Sequence, residues 1–215
     1  ADSSMHAAPF FASDNGETWL WPLDGLCLGS DLVLFMSQLK EGGGLGFASA
    51  GNVMLIVSNP GAFPDIWGIR HVDIPLFRTT EFGDRVFGLS AEQHGDYVYV
   101  YGVLENWRRG MGGRGIIVAR IEPGKLLAGE FGSWRYFDGR DWVDDVDEAA
   151  ELFDEAAAEM SVHYDDDLGR FVTVYSEFGM SDTILVRFAN APEGPWSAPV
   201  TVYRCPDTDR NPNYF

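Results

Sequence analysis

The sequence predicts an all-β fold, a β-propeller of four-stranded blades, on three observations. Three tryptophans recur at near-equal spacing, Trp67, Trp134 and Trp196, and each closes a similar run of short apolar segments. A repeat of this kind indicates stacked units of one supersecondary type. The 25 glycines and 11 prolines are spread between these segments instead of being pooled, which is typical of turn-rich β structure.

Each repeat contains four segments in the same order, which we interpret as the four strands of a blade. The first segment, the predicted innermost strand, covers 18–28, 85–93 and 158–164. The second covers 29–37, 94–102 and 167–176. The third covers 52–58, 115–121 and 182–189. The fourth, which carries the tryptophan, covers 66–72, 133–137 and 195–203.

The predicted blades span about 16–80, 81–143 and 158–205, within a single propeller domain over 1–215. Three blades do not close a ring, because propellers have about 4–8 of them. We therefore expect the domain to be incomplete. The missing blades would come from a longer chain or from another subunit.

One segment breaks the strand pattern. Apolar residues between 144 and 160 recur at helical spacing, and Asp145 with Glu148 three residues later fits an N-terminal capping arrangement. The segment therefore predicts one inserted amphipathic helix near 145–160, lying on a face of the propeller.

The charge balance excludes several kinds of partner. The formal net charge is −18, from 33 Asp and Glu residues against 15 Lys and Arg. Such a surface repels phosphate groups, so neither nucleic acid nor an anionic membrane surface is an expected partner. No apolar run approaches the roughly 20 residues that a membrane helix needs.

No cofactor is expected. The G-x-G-x-x-G match at 110–115 is followed by a predicted strand, whereas a dinucleotide fingerprint must open a helix. The acidic clusters at 144–148 and 164–169 lack the spacing of a calcium loop, so we predict a helix start and a hairpin turn, with a structural calcium ion as the alternative. Cys27 and Cys205 form either one long-range disulfide or two buried thiols.

Several segments resemble the blades of bacterial glycoside-hydrolase-like five-bladed propellers. These are WLWPLDGLCLGSDLVLFMS (19–37), GDYVYVYG (95–102), EMSVHYDDDLGRFVTVYS (159–176) and ILVRFANAPEGPWSAPVTVY (184–203). The last is the most specific. The chain is similar to the propeller family, formerly a domain of unknown function, that includes endo-D-arabinanases, and more distantly to the arabinanase and β-xylosidase clan.

The resemblance implies hydrolysis of a furanoside of the arabinan type, or of a related bacterial polysaccharide, and a secreted or periplasmic bacterial protein. The chain begins at Ala1 without Met, so either a signal was removed or the sequence is an excerpt. The alternative function is a carbohydrate-binding or interaction propeller without catalysis.

Glycoside hydrolysis needs two carboxyl groups across the scissile bond, one as proton donor and one as base or nucleophile. Innermost strands line a propeller's channel, so Asp24 and Glu159 are the catalytic candidates. Alternation places 159, 161 and 163 on one side of their strand. The predicted substrate-binding residues are Trp21, Glu92, Trp107, Ser161, His163 and Glu177. Asp24, Glu92 and Glu159 could instead bind backbone at a strand end, and Glu177 could instead face solvent at the rim. Each aromatic ring could instead pack in the core.

Overall fold

The computed structural model describes residues 11–13, 16–43, 46–81, 83–106, 114–154, 156–179 and 181–206. Its strands form three antiparallel sheets, which follow one another along the chain. Sheet A has the strand order β1 (Trp19–Leu28), β2 (Asp31–Glu41), β3 (Phe47–Val57) and β4 (Ile69–Asp73). Sheet C has the order β12 (Ala156–Asp165), β13 (Arg170–Glu177), β14 (Thr183–Ala189) and β15 (Val200–Arg204).

Sheet B lies between them in sequence and is larger. Its main strands are β5 (Arg78–Thr80), β6 (Gly83–His94), β7 (Tyr97–Glu105), β8 (Arg114–Ile121), β9 (Arg135–Phe137) and β10 (Trp142–Val143), and β11 (Phe153–Asp154) pairs with β8. One short helix, α1 (Pro123–Ala128), and 3-10 turns at Pro64–Ile66, Phe131–Ser133 and Val146–Glu148 complete the described elements. No helix among the described residues is long and apolar enough to cross a membrane.

The predicted strands are confirmed in all three repeats, and most boundaries agree to within a few residues. The glycine-rich segment at 40–51 is mostly strand, because β2 extends to Glu41 and β3 begins at Phe47. The strand predicted after the glycines of 110–115 is confirmed as β8, so these residues do not open a helix. A second glycine-rich segment, 106–115, lies largely outside the described residues.

The inserted helix predicted near 145–160 is wrong. Asp145 does cap a turn, accepting a hydrogen bond from Asp147 N, but the turn is 3-10 and ends at Glu148. Beyond it, Ala150 N donates to Phe137 O at 2.8 Å and Leu152 N donates to Ile116 O at 2.7 Å. Pairing with sheet B therefore replaces helical hydrogen bonds, and the chain enters β12 at Ala156.

The core consists of two main clusters, one on each face of sheet B. Along β7, Val98 and Val100 belong to the cluster shared with sheet A, while Tyr99 and Tyr101 belong to the cluster shared with sheet C. Alternate side chains of one strand thus pack in opposite directions. Sheet B is buried between two neighbours, as a blade is in a propeller.

The repeating tryptophans differ in burial. Trp134 is 1% exposed, and its ring packs edge-on against Phe87 at 5.6 Å, which confirms its core position. Trp196 is partly buried against the second cluster. Trp67 is not in the core: it is half-buried in a loop, where Nε1 donates to Ala62 O at 3.0 Å.

The two cysteines are not joined, and the prediction of two buried thiols is wrong. Cys27 is exposed on β1 and Cys205 is half-buried. Cys27 lies on the innermost strand of a terminal sheet, where no further sheet among the described residues covers it.

The face of sheet C that points away from sheet B, which we call the bare face, carries exposed apolar side chains. Val174, Val200, Val202 and Tyr203 are 39%, 52%, 56% and 55% exposed. Val174 lies opposite Ser161 in the register of β12 and β13, so this face also carries the exposed side of the innermost strand. The side facing sheet B, by contrast, is packed.

Asp147, in the 3-10 turn at Val146–Glu148, forms ion pairs with two arginines of sheet B. Arg85 Nη1 donates to Asp147 Oδ1 at 2.5 Å, and Arg78 Nη1 donates to the same oxygen at 3.1 Å. The Arg85 side chain is 10% exposed, and Asp147 is 58% exposed. The hydrogen bond from Arg85 lowers the pKa of Asp147 below its ordinary value of 3.8.

We expect Asp147→Asn to lower the free energy of unfolding at pH 7 by about 1–2 kcal/mol, because buried Arg85 loses its charged partner while solvent screens part of the loss. A carboxyl group whose pKa is lower in the folded than in the unfolded protein contributes to stability. This contribution is complete above the pKa of the unfolded protein and is lost as pH falls through the pKa of the folded protein. The variant should therefore lose less stability than the parent between pH 5 and 3, measured by urea unfolding. Asp166→Asn, in an exposed turn, is the control, and equal acid sensitivity in all three proteins would contradict the prediction.

Candidate functional site

The innermost strand of each sheet carries a bulge near its start. The register shifts at one place in each strand: between Pro22 and Gly25 in β1, between Phe87 and Ser90 in β6, and between Ala156 and Met160 in β12. Asp24 and Glu159 are the last residues of their bulges, so they occupy equivalent places in sheets A and C. In sheet B that place is taken by Leu89, which is buried. Bulges re-aim side chains and are common beside active sites.

Beyond Arg85, where its pairing with β5 ends, β6 is an edge strand as β1 and β12 are. The outward N–H groups of such strands lack a partner within the sheet. Side chains of the preceding innermost strand accept from these groups. Asp24 Oδ2 accepts from Ala91 N at 2.9 Å, from β1 to β6. Ser90 Oγ accepts from Val162 N at 2.9 Å, from β6 to β12. We call these contacts inter-sheet clasps.

Each carboxylate oxygen of Asp24 accepts one backbone hydrogen bond. Its Oδ1 accepts from Gly25 N at 2.8 Å, while Oδ2 forms the clasp to Ala91. These two hydrogen bonds hold the orientation of the carboxylate. The geometry favours the structural alternative stated for this residue, although its catalytic role stays a prediction.

Glu159, Ser161 and His163 lie on one exposed side of β12, as alternation predicts. We call these three residues the polar row. Within the part of the chain that the structure describes, no hydrogen bond or ion pair engages the Glu159 carboxylate. An exposed, unengaged carboxyl group can exchange a proton with a bound ligand without first breaking a structural contact.

Glu92 links the polar row to sheet B. Its Oε1 accepts from Tyr164 N at 3.2 Å, forming another inter-sheet clasp. Its Oε2 lies 3.4 Å from His163 Nδ1. The structure therefore brings together two predicted substrate-binding residues from different sheets, 92 and 163, beside Ser161 and Glu159.

The other predicted binding residues are more dispersed. Trp21 is 49% exposed, and its ring lies 5.7 Å from that of Phe47 at one end of sheet A. Glu177 lies at the end of β13, where Oε2 accepts from Ser181 Oγ at 2.5 Å. Trp107 lies outside the described residues.

The described cavities lie away from the polar row. One is lined by Arg78, Arg85, Glu105 and Asp147 at the start of sheet B, and another by Phe131, Tyr136 and Asp145. In the described ranges no group of three or more His, Cys, Asp or Glu side chains could hold a metal ion. The acidic segment 164–169 forms the predicted hairpin turn, in which Asp165 Oδ1 accepts from Leu168 N at 2.8 Å. A structural calcium ion stays a prediction.

Sequence reasoning missed two residues that position the innermost strands. Ser90 forms a clasp, as described, and is fully buried. Asn52, 2% exposed, accepts from Phe87 N at 2.9 Å and donates to Met36 O at 3.0 Å, joining sheets A and B. A lone Ser or Asn inside an apolar run was the signal available, because buried polar groups are nearly always hydrogen-bonded.

Consecutive antiparallel sheets joined at their innermost strands define a propeller-type all-β domain with a polar inner strand in sheet C. The chain belongs to the family described as Domain of unknown function (DUF5005), whose profile matches residues 3–215. No curated protein matches the sequence.

Solved structures support the fold. The chain is similar to a protein from Bacteroides ovatus ATCC 8483 that is provisionally assigned as a hydrolase, with a TM-score of 0.62 and 15% identity. The match covers 89% of this chain and 47% of the Bacteroides protein. This chain therefore spans about half the length of that protein. An identity this low shows the fold alone.

Two glycoside hydrolases are more weakly similar. A GH43_1 enzyme from Xanthomonas citri has a TM-score of 0.38 and 13% identity, covering 90% of this chain and 76% of that one. CoXyl43, a GH43 β-xylosidase/α-arabinofuranosidase from a compost microbial metagenome, has a TM-score of 0.41 and 11% identity, covering 91% and 80%. At TM-scores below 0.5 these two likenesses carry no argument, and none of the three proteins is described as an endo-D-arabinanase.

Proposed function

We propose that this chain belongs to a glycoside-hydrolase-like propeller that cleaves a furanoside of the arabinan type, or a related bacterial polysaccharide, outside the cell or in the periplasm. The observation that carries the proposal is the polar row, which places an unengaged carboxylate, Glu159, beside a hydroxyl and an imidazole on an innermost strand. Hydroxyl, imidazole and carboxylate groups are the donors and acceptors that sugar hydroxyls bind.

Glu159 is the proposed proton-transferring residue. It lies at the end of a bulge, at the place equivalent to that of Asp24, and bulges are common beside active sites. The protein from Bacteroides ovatus that shares this fold is provisionally assigned as a hydrolase, which is the class of activity proposed here. No metal is needed for this chemistry, because two carboxyl groups suffice.

A second candidate, a carbohydrate-binding propeller without catalysis, is favoured by one observation. Both oxygens of Asp24 accept backbone N–H groups, so this carboxylate is committed to structure. The protein would then hold a sugar through the polar row and exposed rings such as Trp21, but lack the second carboxyl group that hydrolysis requires.

We also propose that the bare face of sheet C packs against a further sheet in the complete propeller. Exposed aliphatic side chains lie there beside the exposed innermost strand. The opposite face shows the pattern expected of such a contact, because its apolar side chains form a cluster with sheet B. The channel, and a second carboxyl group, would be completed by that sheet.

The experiment is to incubate the protein with arabinan, D-arabinan and xylan, and to measure reducing ends together with binding. Release of reducing ends from a furanoside polymer is the expected result. Binding without release would favour the second candidate. Neither binding nor release, with a folded protein, would contradict both. Pullulan, a neutral polymer of pyranosides, is the control for non-specific retention.

A further inference from the structure

Glu92 and His163 meet at the boundary between sheets B and C. The Glu92 Oε2 atom lies 3.4 Å from His163 Nδ1, and the other oxygen accepts from Tyr164 N at 3.2 Å. The Glu92 side chain is 18% exposed, whereas that of His163 is 73% exposed. A largely buried carboxylate, held by the backbone, thus faces one nitrogen of a mostly exposed ring.

A carboxylate can only accept hydrogen bonds, and a neutral imidazole has one donor and one acceptor nitrogen. A carboxylate beside Nδ1 therefore favours the tautomer that carries its proton there. The Nε2 atom, across the ring, is then an acceptor. Two residues earlier on the same side of β12, Ser161 offers a hydroxyl group.

We propose that Glu92 is a positioning residue that holds His163 in the Nδ1–H tautomer, so that Nε2 accepts a hydrogen bond from a sugar hydroxyl. This inference rests on the proposed carbohydrate function. The two oxygens of Glu92 then have different roles. Oε1 links sheet C to sheet B through Tyr164 N, and Oε2 orients the imidazole ring of His163.

The surroundings keep this geometry fixed. Tyr164, whose N–H group is clasped by Glu92, packs its ring 4.5 Å from that of His94 and 5.0 Å from that of Phe171. This end of β12 is therefore held by a hydrogen bond to its backbone and by tilted and edge-to-face ring contacts of Tyr164. His163 projects from an anchored backbone, which reduces the ordering cost of binding.

Glu92→Gln separates the two roles. The amide carbonyl can still accept from Tyr164 N, but the amide nitrogen now donates toward His163 Nδ1 and favours the Nε2–H tautomer. Long-range 15N–1H NMR spectra at about pH 8, where an ordinary histidine is neutral, report the tautomer directly. We expect Nδ1–H in the parent and Nε2–H in Glu92→Gln. Affinity for arabino-oligosaccharides should fall about tenfold, the effect of one lost hydrogen bond.

Ser90→Ala is the matched control, because it removes the neighbouring clasp to Val162 without touching Glu92. It should lower stability and leave the tautomer unchanged. An Nε2–H tautomer in the parent would overturn the proposal whatever the sugar result. Oligosaccharide binding that shifts other resonances but not those of His163 would also overturn it, and would leave the proposed function standing. If no sugar binds, the proposed function and the ligand half of this inference fail, while the tautomer still decides the positioning role.

Discussion

Glu159→Gln is expected to lower turnover of a cleaved polysaccharide by about 10²–10⁴-fold, the usual contribution of general acid–base catalysis. The amide keeps the size of the side chain but can neither give nor take the proton. Because no described hydrogen bond or ion pair depends on this carboxylate, the fold should be unchanged. Affinity should also change little, since the loss is confined to the transition state. Initial rates and equilibrium binding, measured on the same polymer, check both parts.

Glu130→Gln is the matched control. Glu130 is exposed between α1 and the following 3-10 turn, far along the chain from the polar row. It should retain parental rates. Full activity in Glu159→Gln would remove this residue from the mechanism. A loss of binding equal to the loss of turnover would make it a ligand contact instead of a proton donor.

Asp24→Asn extends the comparison to the other predicted carboxylate. An amide supplies one oxygen for two backbone N–H groups, so we expect the free energy of unfolding to fall by about 1 kcal/mol. Turnover lost at full stability would instead show that Asp24 is the second carboxyl group of the mechanism. Unfolding free energy and turnover, measured on the same variant, therefore distinguish a structural role of Asp24 from a catalytic one.

The strands were predictable because their signal is local. In β7, the alternation of valine and tyrosine reflects a sheet buried on both faces, and turn residues mark its ends. The failed helix shows the limit of such signals. Alanine favours helix only when nothing competes, and here Leu152 N and Ala150 N bond to strands of sheet B. Pairing partners that lie far away in sequence decided the structure of this segment.

The candidate site was predictable in part, for the same reason. Alternation sufficed to place Glu159, Ser161 and His163 on one side of β12. It could not show that Asp24 accepts from Ala91 N, or that Glu92 meets His163, because each contact joins separate repeats. Which carboxylates are structural depends on these long-range contacts. A residue's strand position is therefore easier to predict than its function.

Gly88, in the bulge of β6, lies against Phe35 of sheet A. Its φ is +97°, a conformation that side chains other than glycine rarely adopt. A Cβ atom there would lie 2.3 Å from Phe35 Cβ and 2.5 Å from Phe35 Cγ. Phe35 is fully buried on β2 and has no room to move. Both backbone strain and overlap therefore oppose any larger residue.

We expect Gly88→Ala to lower the free energy of unfolding by about 3 kcal/mol or more, since strained backbone and overpacking each cost about 1–3 kcal/mol. Urea unfolding followed by tryptophan fluorescence measures this, because Trp134 packs close to the contact. Gly95→Ala, with φ of +59° and open space, isolates backbone strain and should cost about 1 kcal/mol. Gly124→Ala, in α1 with open space, should be neutral or stabilising. If Gly88→Ala costs no more than Gly95→Ala, sheets A and B do not meet at Phe35, and the packing of these two sheets against each other is wrong.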